Sequence, residues 1–464
     1  MTARNQTASS AAEGQSPSGC CTPHSALPTP QLSAPQPSIT SEDEGSGSKL
    51  QPSAFSLQPS SGTPHLNGSQ PSTKYNVSLL TGGGDRPYAL GMATALIAEG
   101  LAFDFIGSNE HDVPELQNNH QVRFFNLRGD QNPHASRLAK ALRVLRYYSR
   151  LLRYAASAEP RIFHILWNGK LELVDRTALM LYYKCLGKRL IFTAHNVNAG
   201  QRDRKDTVLN QLSLQIQYRL FDHIFVHTEK MKRQLCGEFS VADRKVTVIP
   251  FGINNTVPHT ALTASEAKER LGLNGKEKVL LFFGHITPYK GLEYAISALA
   301  QLSRSSSDYR LVIAGRPKDC GEYWAGIQRT ITRTGTRRHI IERAVYIPEE
   351  EVEVYFKGAD VLVLPYRHIF QSGVLFLGYS FGLPVIATDV GSLKEDILEG
   401  KTGFTCRPED ALDLAKAIEK YFSSSLFREL ERRRQDIRNH ANERYSWAKV
   451  GEKTRRVYSE LLEK

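Results

Sequence analysis

Three stretches of this 464-residue chain carry residue types whose spacing could do chemistry. The first is Thr81-Gly82-Gly83-Gly84-Asp85-Arg86-Pro87, which follows an apolar run and leads into a helix through Gly91. Glycines there let a ligand or another loop approach the backbone closely, and the free N–H groups at the helix start favour an anion. A tight turn without any ligand explains the same residues equally well, and the spacing is not Gly-x-Gly-x-x-Gly. The second stretch, Phe282 to Gly291, again joins an apolar strand to a helix through Gly284 and His285. Lys290 beside Gly291 brings a full positive charge and unpaired backbone N–H groups to one spot, which suits a diphosphate. The plain alternative is a solvated lysine. The third stretch, Val361 to Glu395, runs strand, polar loop through Gln371-Ser372-Gly373-Val374, apolar helix, then Gly382-Leu383-Pro384-Val385. His195 also follows an apolar strand directly, with a structural imidazole as its equal alternative.

Positioning these residues requires strands that end where they begin. From Lys74 onward, short β-branched and aromatic runs alternate with longer amphipathic segments, the pattern of βα units around parallel sheets. Strands are expected at Tyr75–Leu80, Ala102–Ile106, Val122–Leu127, Ile162–Leu166, Leu190–Ala194, His223–Val226 and Val246–Ile249. A second set is expected at Val279–Phe283, Arg310–Ala314, Ala344–Ile347, Asp360–Leu364 and Pro384–Ala387. Near-continuous apolar character marks them as covered on both faces. The fold class is therefore α/β, with two doubly wound, Rossmann-like domains facing across a cleft. The expected division is a Ser/Pro-rich disordered tail over 1–73, a first domain over 74–255, a second over 256–425, and C-terminal helices over 426–464 that follow them.

Composition narrows the function classes. Lys and Arg number 59 against 48 acids, a net charge of +11, with 41% apolar residues. Ten of the 22 prolines precede Lys74, and the stretch up to and including Lys74, of charge −1, cannot bury a core. The positive excess therefore belongs to the folded part, which excludes a basic tail gripping nucleic acid. No run approaches the roughly 18 apolar residues of a membrane span, and a standard secretory leader is not expected. The six cysteines form no framework and no Cys-x-x-Cys pair, which points to a reducing compartment. No His-Glu-x-x-His occurs either, so no protein-bound metal is expected.

The ordered set of motifs resembles the retaining glycosyltransferases of family 4, the GT-B group that uses activated sugars. Matching pieces are Gly284-His285-Ile286 with Lys290-Gly291, Leu311-Val312-Ile313 into Ala314-Gly315, and Ala359-Asp360-Val361 before Leu364-Pro365. They continue in Gly382-Leu383-Pro384-Val385, Thr388-Asp389-Val390-Gly391 and Tyr445-Ser446-Trp447. In the first half Thr193-Ala194-His195-Asn196, Phe221 to Thr228 and Val248-Ile249-Pro250-Phe251-Gly252 are similar too. The likeness spans about residues 75 to 460. It implies a GT-B fold whose last helix returns to the N-terminal domain. It also implies a nucleotide-diphosphate sugar held by the C-terminal domain, a saccharide or lipid-linked acceptor held by the N-terminal one, and transfer with retention and no metal or cofactor. Lys290 would meet the diphosphate, with Gly284, His285, Gln371, Ser372, Gly373 and Val374 around the donor. His195 would face the donor sugar, and Gly83, Gly84 and Asp85 would form the acceptor-side loop. His285 stands where the family commonly has Arg, which would make donor affinity depend on pH.

One departure matters. Counting back from Gly382 places Leu377 and Ile369 at the positions of the family's paired glutamates. Neither can bond a hydroxyl, so a catalytically impaired binding or scaffold protein stays open beside the enzyme. A nucleotide-sugar epimerase is a weaker third reading, for which no acid/base set is visible. Over 137–156, Arg137, Lys140, Arg143, Arg146, Arg150 and Arg153 occupy the wider side of a helix and Leu138, Ala141, Leu142, Leu145 and Leu152 the narrower. Cations without acids among them suit anionic lipid or a lipid-diphosphate acceptor, with Arg143, Arg146, Arg150 and Arg153 as the contact. A solvated outer face is the equal alternative, and nucleic acid fits poorly because no aromatic stacking set accompanies the charge. The expected setting is a cytoplasmic enzyme of polysaccharide biosynthesis, in one version peripheral at the inner membrane face.

Overall fold

Near-continuous apolar runs become strands buried on both sides, and they assemble into two all-parallel sheets. The computed structural model describes residues 74–463 except 133–134, 203–205, 254, 256 and 319, so the expectation for 1–73 lies outside the described residues. The first sheet holds β1 (Val77–Leu80), β2 (Phe103–Gly107), β3 (Val122–Asn126), β4 (Ile162–Ile165), β5 (Arg189–Ala194), β6 (His223–Val226) and β7 (Val246–Val248). Their order is β3-β2-β1-β4-β5-β6-β7. The second holds β8 (Lys278–Phe283), β9 (Tyr309–Ala314), β10 (Ile340–Arg343), β11 (Val361–Leu364), β12 (Val385–Thr388) and β13 (Gly403–Cys406), in the order β10-β9-β8-β11-β12-β13. Both sheets reverse direction beside their first strand, at β1/β4 and at β8/β11. Ligands of open α/β sheets bind in the crevice at such switch points. The loops after β1 and β8, which carry the glycine turn and Lys290, therefore sit where that rule puts a ligand.

Two strand expectations need correction. The third strand of the second sheet is Ile340–Arg343, not Ala344–Ile347. Its half-buried Ile-Ile-Glu-Arg lies at an edge, so its apolar density is low, whereas Val345 and Tyr346 just after it are exposed. Edge strand β13, Gly-Phe-Thr-Cys, gave no apolar run at all, and its pairing with β12 creates it.

Helices cover both faces of each sheet. The Arg86–Ala98 helix is started by Asp85, whose side chain accepts from the Tyr88 N–H at 3.0 Å, with Pro87 in its first turn. The last helix, Trp447–Glu463, leaves the second lobe and packs against Arg86–Ala98 of the first. A 2.6 Å hydrogen bond between Tyr458 Oη and His164 Nδ1 ties it to β4.

Candidate functional site

The turn after β8 opens with Gly284 at φ +93°, a conformation that side-chain-bearing residues rarely adopt. A short 3-10 turn, Pro288–Lys290, follows, and the helix proper starts at Leu292. Lys290 is not the solvated lysine of the plain reading: only 5% of it is exposed. Its Nζ is held by no described carboxylate, and its nearest hydrogen-bond acceptor is the Phe283 carbonyl at 3.5 Å. Burial pushes its pKa down to about 8. An ammonium kept dry without a counter-ion is costly unless something anionic arrives to meet it. Its aim is visible from Gly284: a Cβ there would lie 2.9 Å from Lys290 Nζ and 3.5 Å from Val374 Cγ2. Three of the expected donor residues thus converge. Thr287, in the same turn, buries a hydroxyl that has no partner among the described residues. The sequence reading missed it, and its only signal was a hydroxyl residue before Pro-x-Lys-Gly.

The loop after β11 supplies the opposite side. Ser372 precedes the Gly373–Ser380 helix without capping it, because its hydroxyl lies instead 3.4 Å from Tyr366 Oη. Gln371 lies beside the buried Asp396, whose carboxyl burial raises to about 6, and Gln371 Oε1 has no partner among the described residues. Gly373 and Val374 reach a cavity of about 230 Å³, whose other walls include Asp85, Tyr88, Phe251 and Trp447. Leu377 lines it as well, so the family's second glutamate position is an apolar wall here. Ile369 is half-buried, with its carbonyl against Gly391. His285 is exposed beside Gly284.

On the first lobe the glycine turn proves to be shaped mainly by Trp167. A Cβ on Gly84 would fall 1.8 Å from the Trp167 ring, and one on Gly82 would fall 2.0 Å from its carbonyl oxygen. Gly83 is exposed and has no such neighbour; its nearest side chain is Arg128. Asp85 both caps its helix and lines the cavity; its residue surface is open to solvent, while the protein packed around its carboxyl raises the pKa by desolvation. Nearby, Arg86 Nη1 donates to both carboxylate oxygens of Glu349, at 3.0 and 3.1 Å, bridging the two lobes.

His195 lies one layer behind that cavity. Its ring stacks on Trp167 at 4.0 Å and meets Tyr88 edge-on at 4.6 Å. Nδ1 is 3.1 Å from His227 Nε2. Burial first, then the neighbouring His227, drives its pKa well below the usual value, so the ring is neutral at pH 7. Nε2 has no hydrogen-bond partner among the described residues, since the Leu166 carbonyl affects its charge without reaching bonding geometry. Among the described residues no three His, Cys, Asp or Glu side chains gather as a metal site requires.

The basic helix spans Arg137–Ser157. It packs through Leu151, Tyr154 and Ala155, while the leucine side faces outward: Leu138 is 71% and Leu145 65% exposed. Arg143 turns away from Arg146, Arg150 and Arg153 and donates to the carbonyls of Asp130 and Asn132.

Comparison with known proteins places these features in a family. The model of Glycosyltransferase Family 4 matches residues 82–256, and that of Glycosyl transferases group 1 matches 264–444. An uncharacterized glycosyltransferase of Methanocaldococcus jannaschii is 24% identical over 398 residues, 82% of this chain and 95% of that protein. A D-inositol 3-phosphate glycosyltransferase of Corynebacterium diphtheriae is 26% identical over 58% of this chain, which spans 65% of that relative. Among solved structures, sucrose-phosphate synthase from Thermosynechococcus elongatus superposes with a TM-score of 0.67 at 17% identity, covering 84% of this chain and 99% of that one. Anabaena HepE in complex with UDP and glucose gives 0.64 at 16%, covering 83% and 99%. These likenesses concern the fold.

Proposed function

The chain belongs to the glycosyltransferases of group 1 and family 4, and from that premise we propose that it moves a sugar from a nucleotide-diphosphate sugar to a saccharide or lipid-linked saccharide. The observation that carries this reading is Lys290, a buried ammonium without a described carboxylate at the switch point of the second sheet. Anabaena HepE, whose fold this chain shares, has been solved with UDP and glucose, which supports a nucleotide-sugar donor.

In this reading the diphosphate lies between Lys290 and the uncapped start of the Gly373–Ser380 helix. Charge developing on the leaving phosphate meets a fixed cation and fixed N–H groups in a site poor in water, where such interactions are strongest. A departing phosphate oxygen takes the acceptor's proton on the face it leaves, which gives retention without a metal. His195 does not act as a base, because its ring has so little affinity for a proton; from behind the cavity it supports Tyr88, which lines it on the sugar side. Asp85, exposed at the cleft beside Gly83 and Gly84, orients the acceptor. Hydrogen bonds that the paired glutamates make elsewhere in the family fall to Gln371 and to backbone N–H groups at Gly373 and Val374.

A thermal-shift panel of UDP-, GDP- and ADP-sugars tests the proposal, since a ligand at 100 times its dissociation constant adds about 2.7 kcal/mol. One of them should shift the melting temperature, and Lys290→Ala should abolish that shift; silence across the panel removes the donor site. Leu377 and Ile369 favour a second reading, a binding protein that has lost turnover. Slow hydrolysis of the bound donor by the wild type, absent in Lys290→Ala, selects the enzyme.

The acceptor reading extends to a peripheral contact with anionic membrane. Twelve of the fifteen exposed large apolar side chains among the described residues lie between Leu138 and Leu212, so the patch is confined to one lobe. Arg146, Arg150 and Arg153 are exposed on the same helix as Leu138, Leu142, Leu145 and Leu152. Apolar side chains rimmed by arginine suit the headgroup boundary. Free thiols at Cys185, Cys236, Cys320 and Cys406 support a cytoplasmic setting. No helix among the described residues is long and apolar enough to cross a membrane. Anionic liposomes should pellet the protein at low salt and release it at high salt. Leu145→Ser together with Arg146→Gln should prevent pelleting, and equal pelleting by neutral liposomes would defeat the idea.

A further inference from the structure

A second group of cations stands apart from the Lys290 turn, on the acceptor lobe. Arg128, Arg143 and Lys170 line one small cavity, about 20 Å³, with Tyr147, Tyr148 and Gly169, and no carboxylate lines it. That volume exceeds what one water needs, so a single compact group fits. None of the three forms an ion pair with a described carboxylate. Arg128 is half-buried, its guanidinium reaching only Gln131 Oε1 at 3.5 Å and the face of Tyr147 at 6.0 Å. Arg143 spends its donors on two backbone carbonyls. Lys170, at the exposed mouth, forms no ion pair with a described residue, and after burial the nearby Arg143, Arg128 and Lys140 lower its pKa. Asp175 lies behind Gly169 and accepts from the Tyr148 hydroxyl at 2.8 and 2.9 Å, and Glu110 acts on Arg128 through its charge without forming an ion pair. Like charges gathered around a hollow with their acid partners turned elsewhere cost free energy unless an anion completes them.

The location gives the anion a role. Arg128 Nη2 lies 3.5 Å from where a Cβ on Gly83 would be, so the pocket adjoins the glycine turn. Two residues further on, Asp85 lines the central cavity. Trp167 explains Gly82 and Gly84, whereas Gly83 has only Arg128 beside it. A neighbouring cavity shares Tyr147 and Gly169 with the basic one and is lined by Gly82 and Trp167. Bound groups in the two places would thus flank one loop.

We infer that Arg128, Arg143 and Lys170 form a subsite for a phosphoryl group carried by the acceptor. This deepens the glycosyltransferase reading and rests on it. Guanidinium groups match the geometry of phosphate oxygens, and Lys170 adds a point charge at the entrance. The phosphoryl group belongs either to a soluble sugar phosphate or to a lipid phosphate at a membrane surface.

The test fills the donor site first. With the full chain saturated by whichever nucleotide diphosphate it binds, inorganic phosphate is titrated against sodium chloride of equal ionic strength, with melting temperature as the readout. Phosphate should stabilise beyond chloride, and Arg128→Gln or Lys170→Gln should each weaken it by about tenfold, the usual worth of a charge-assisted bond. Lys170 is exposed, so its variant keeps the fold intact. Nucleotide affinity should stay unchanged in both variants. Glucose 6-phosphate competing with phosphate assigns the soluble source; phosphatidic acid in phosphatidylcholine vesicles competing assigns the lipid one. No gain over chloride, an equal gain from acetate, or full phosphate affinity in both variants would overturn the inference. If no nucleotide binds, the donor reading falls, and the same titration on Lys290→Ala judges this pocket alone.

Discussion

Lys290 shows how little a residue's type says until its burial is known. A lysine before glycine at a helix start is usually wet, yet here it is enclosed and its pKa falls to about 8. The sign of the consequence follows directly. Burial disfavours the charged form of the free protein, whereas a diphosphate requires it, so donor affinity should decline as pH rises through 8. Between pH 7 and pH 9 the charged fraction falls from about nine tenths to one tenth, and the dissociation constant should rise about tenfold. Titration calorimetry at the two values measures this, and Lys290→Arg, permanently charged, should flatten the profile if the longer side chain is accommodated. A flat wild-type profile would falsify the assignment of Lys290 to the diphosphate. His195, singled out for its position after β5, was legible as a residue but not as a state. Trp167, Tyr88 and His227 close around it and leave one bare nitrogen.

Elements were most legible where both faces of a strand are buried. β1, β4, β6 and β11 read as near-continuously apolar, with only Ser78, His164 and His223 breaking the runs, and the structure buries every residue in them. Edge strands β10 and β13 escaped because an edge demands less apolar surface, so register with the neighbour decides them. The Arg137–Ser157 helix gives the opposite lesson. Its leucines marked a face, but tyrosines and Leu151 make the contact with the sheet, because three-dimensional neighbours and not the count of apolar residues choose the buried side. A prediction belongs to the joint between the first and last helices. A Cβ on Gly91 would lie 2.2 Å from the Trp447 ring. Gly91→Ala should therefore cost about 1–3 kcal/mol by overpacking and also weaken donor binding, since Trp447 walls the cavity. Gly237, in a helix with open space around it, is the control. Gly237→Ala should be neutral or stabilising by up to about 1 kcal/mol. Urea midpoints for the two variants decide the matter, and a silent Gly91→Ala would mean the joint is loose.

At the scale of the whole molecule, the two lobes meet through a few contacts that a ligand could remake. Arg86 and Glu349 form one such bridge between helix starts on opposite lobes, and both are partly exposed. Exposed pairs contribute roughly 1 kcal/mol or less, so Arg86→Ala should hardly change the melting temperature. It should instead let the lobes part, raising the radius of gyration of the free protein in solution scattering, with Glu349→Ala equivalent and the double variant no different from either. A scattering curve identical to wild type would show that the bridge does not set the opening. Sequence alone determined the α/β class, the pairing of two parallel sheets, the Gly-flanked turn with Lys290 and the family resemblance, because periodicity and turn chemistry are local. Tertiary structure alone decided that Lys290 is dry, that Leu377 walls the cavity, that the leucines of the basic helix face outward, and that Arg128, Arg143 and Lys170 share a hollow. Those are properties of desolvation and proximity between residues far apart in the chain, and no local pattern encodes them.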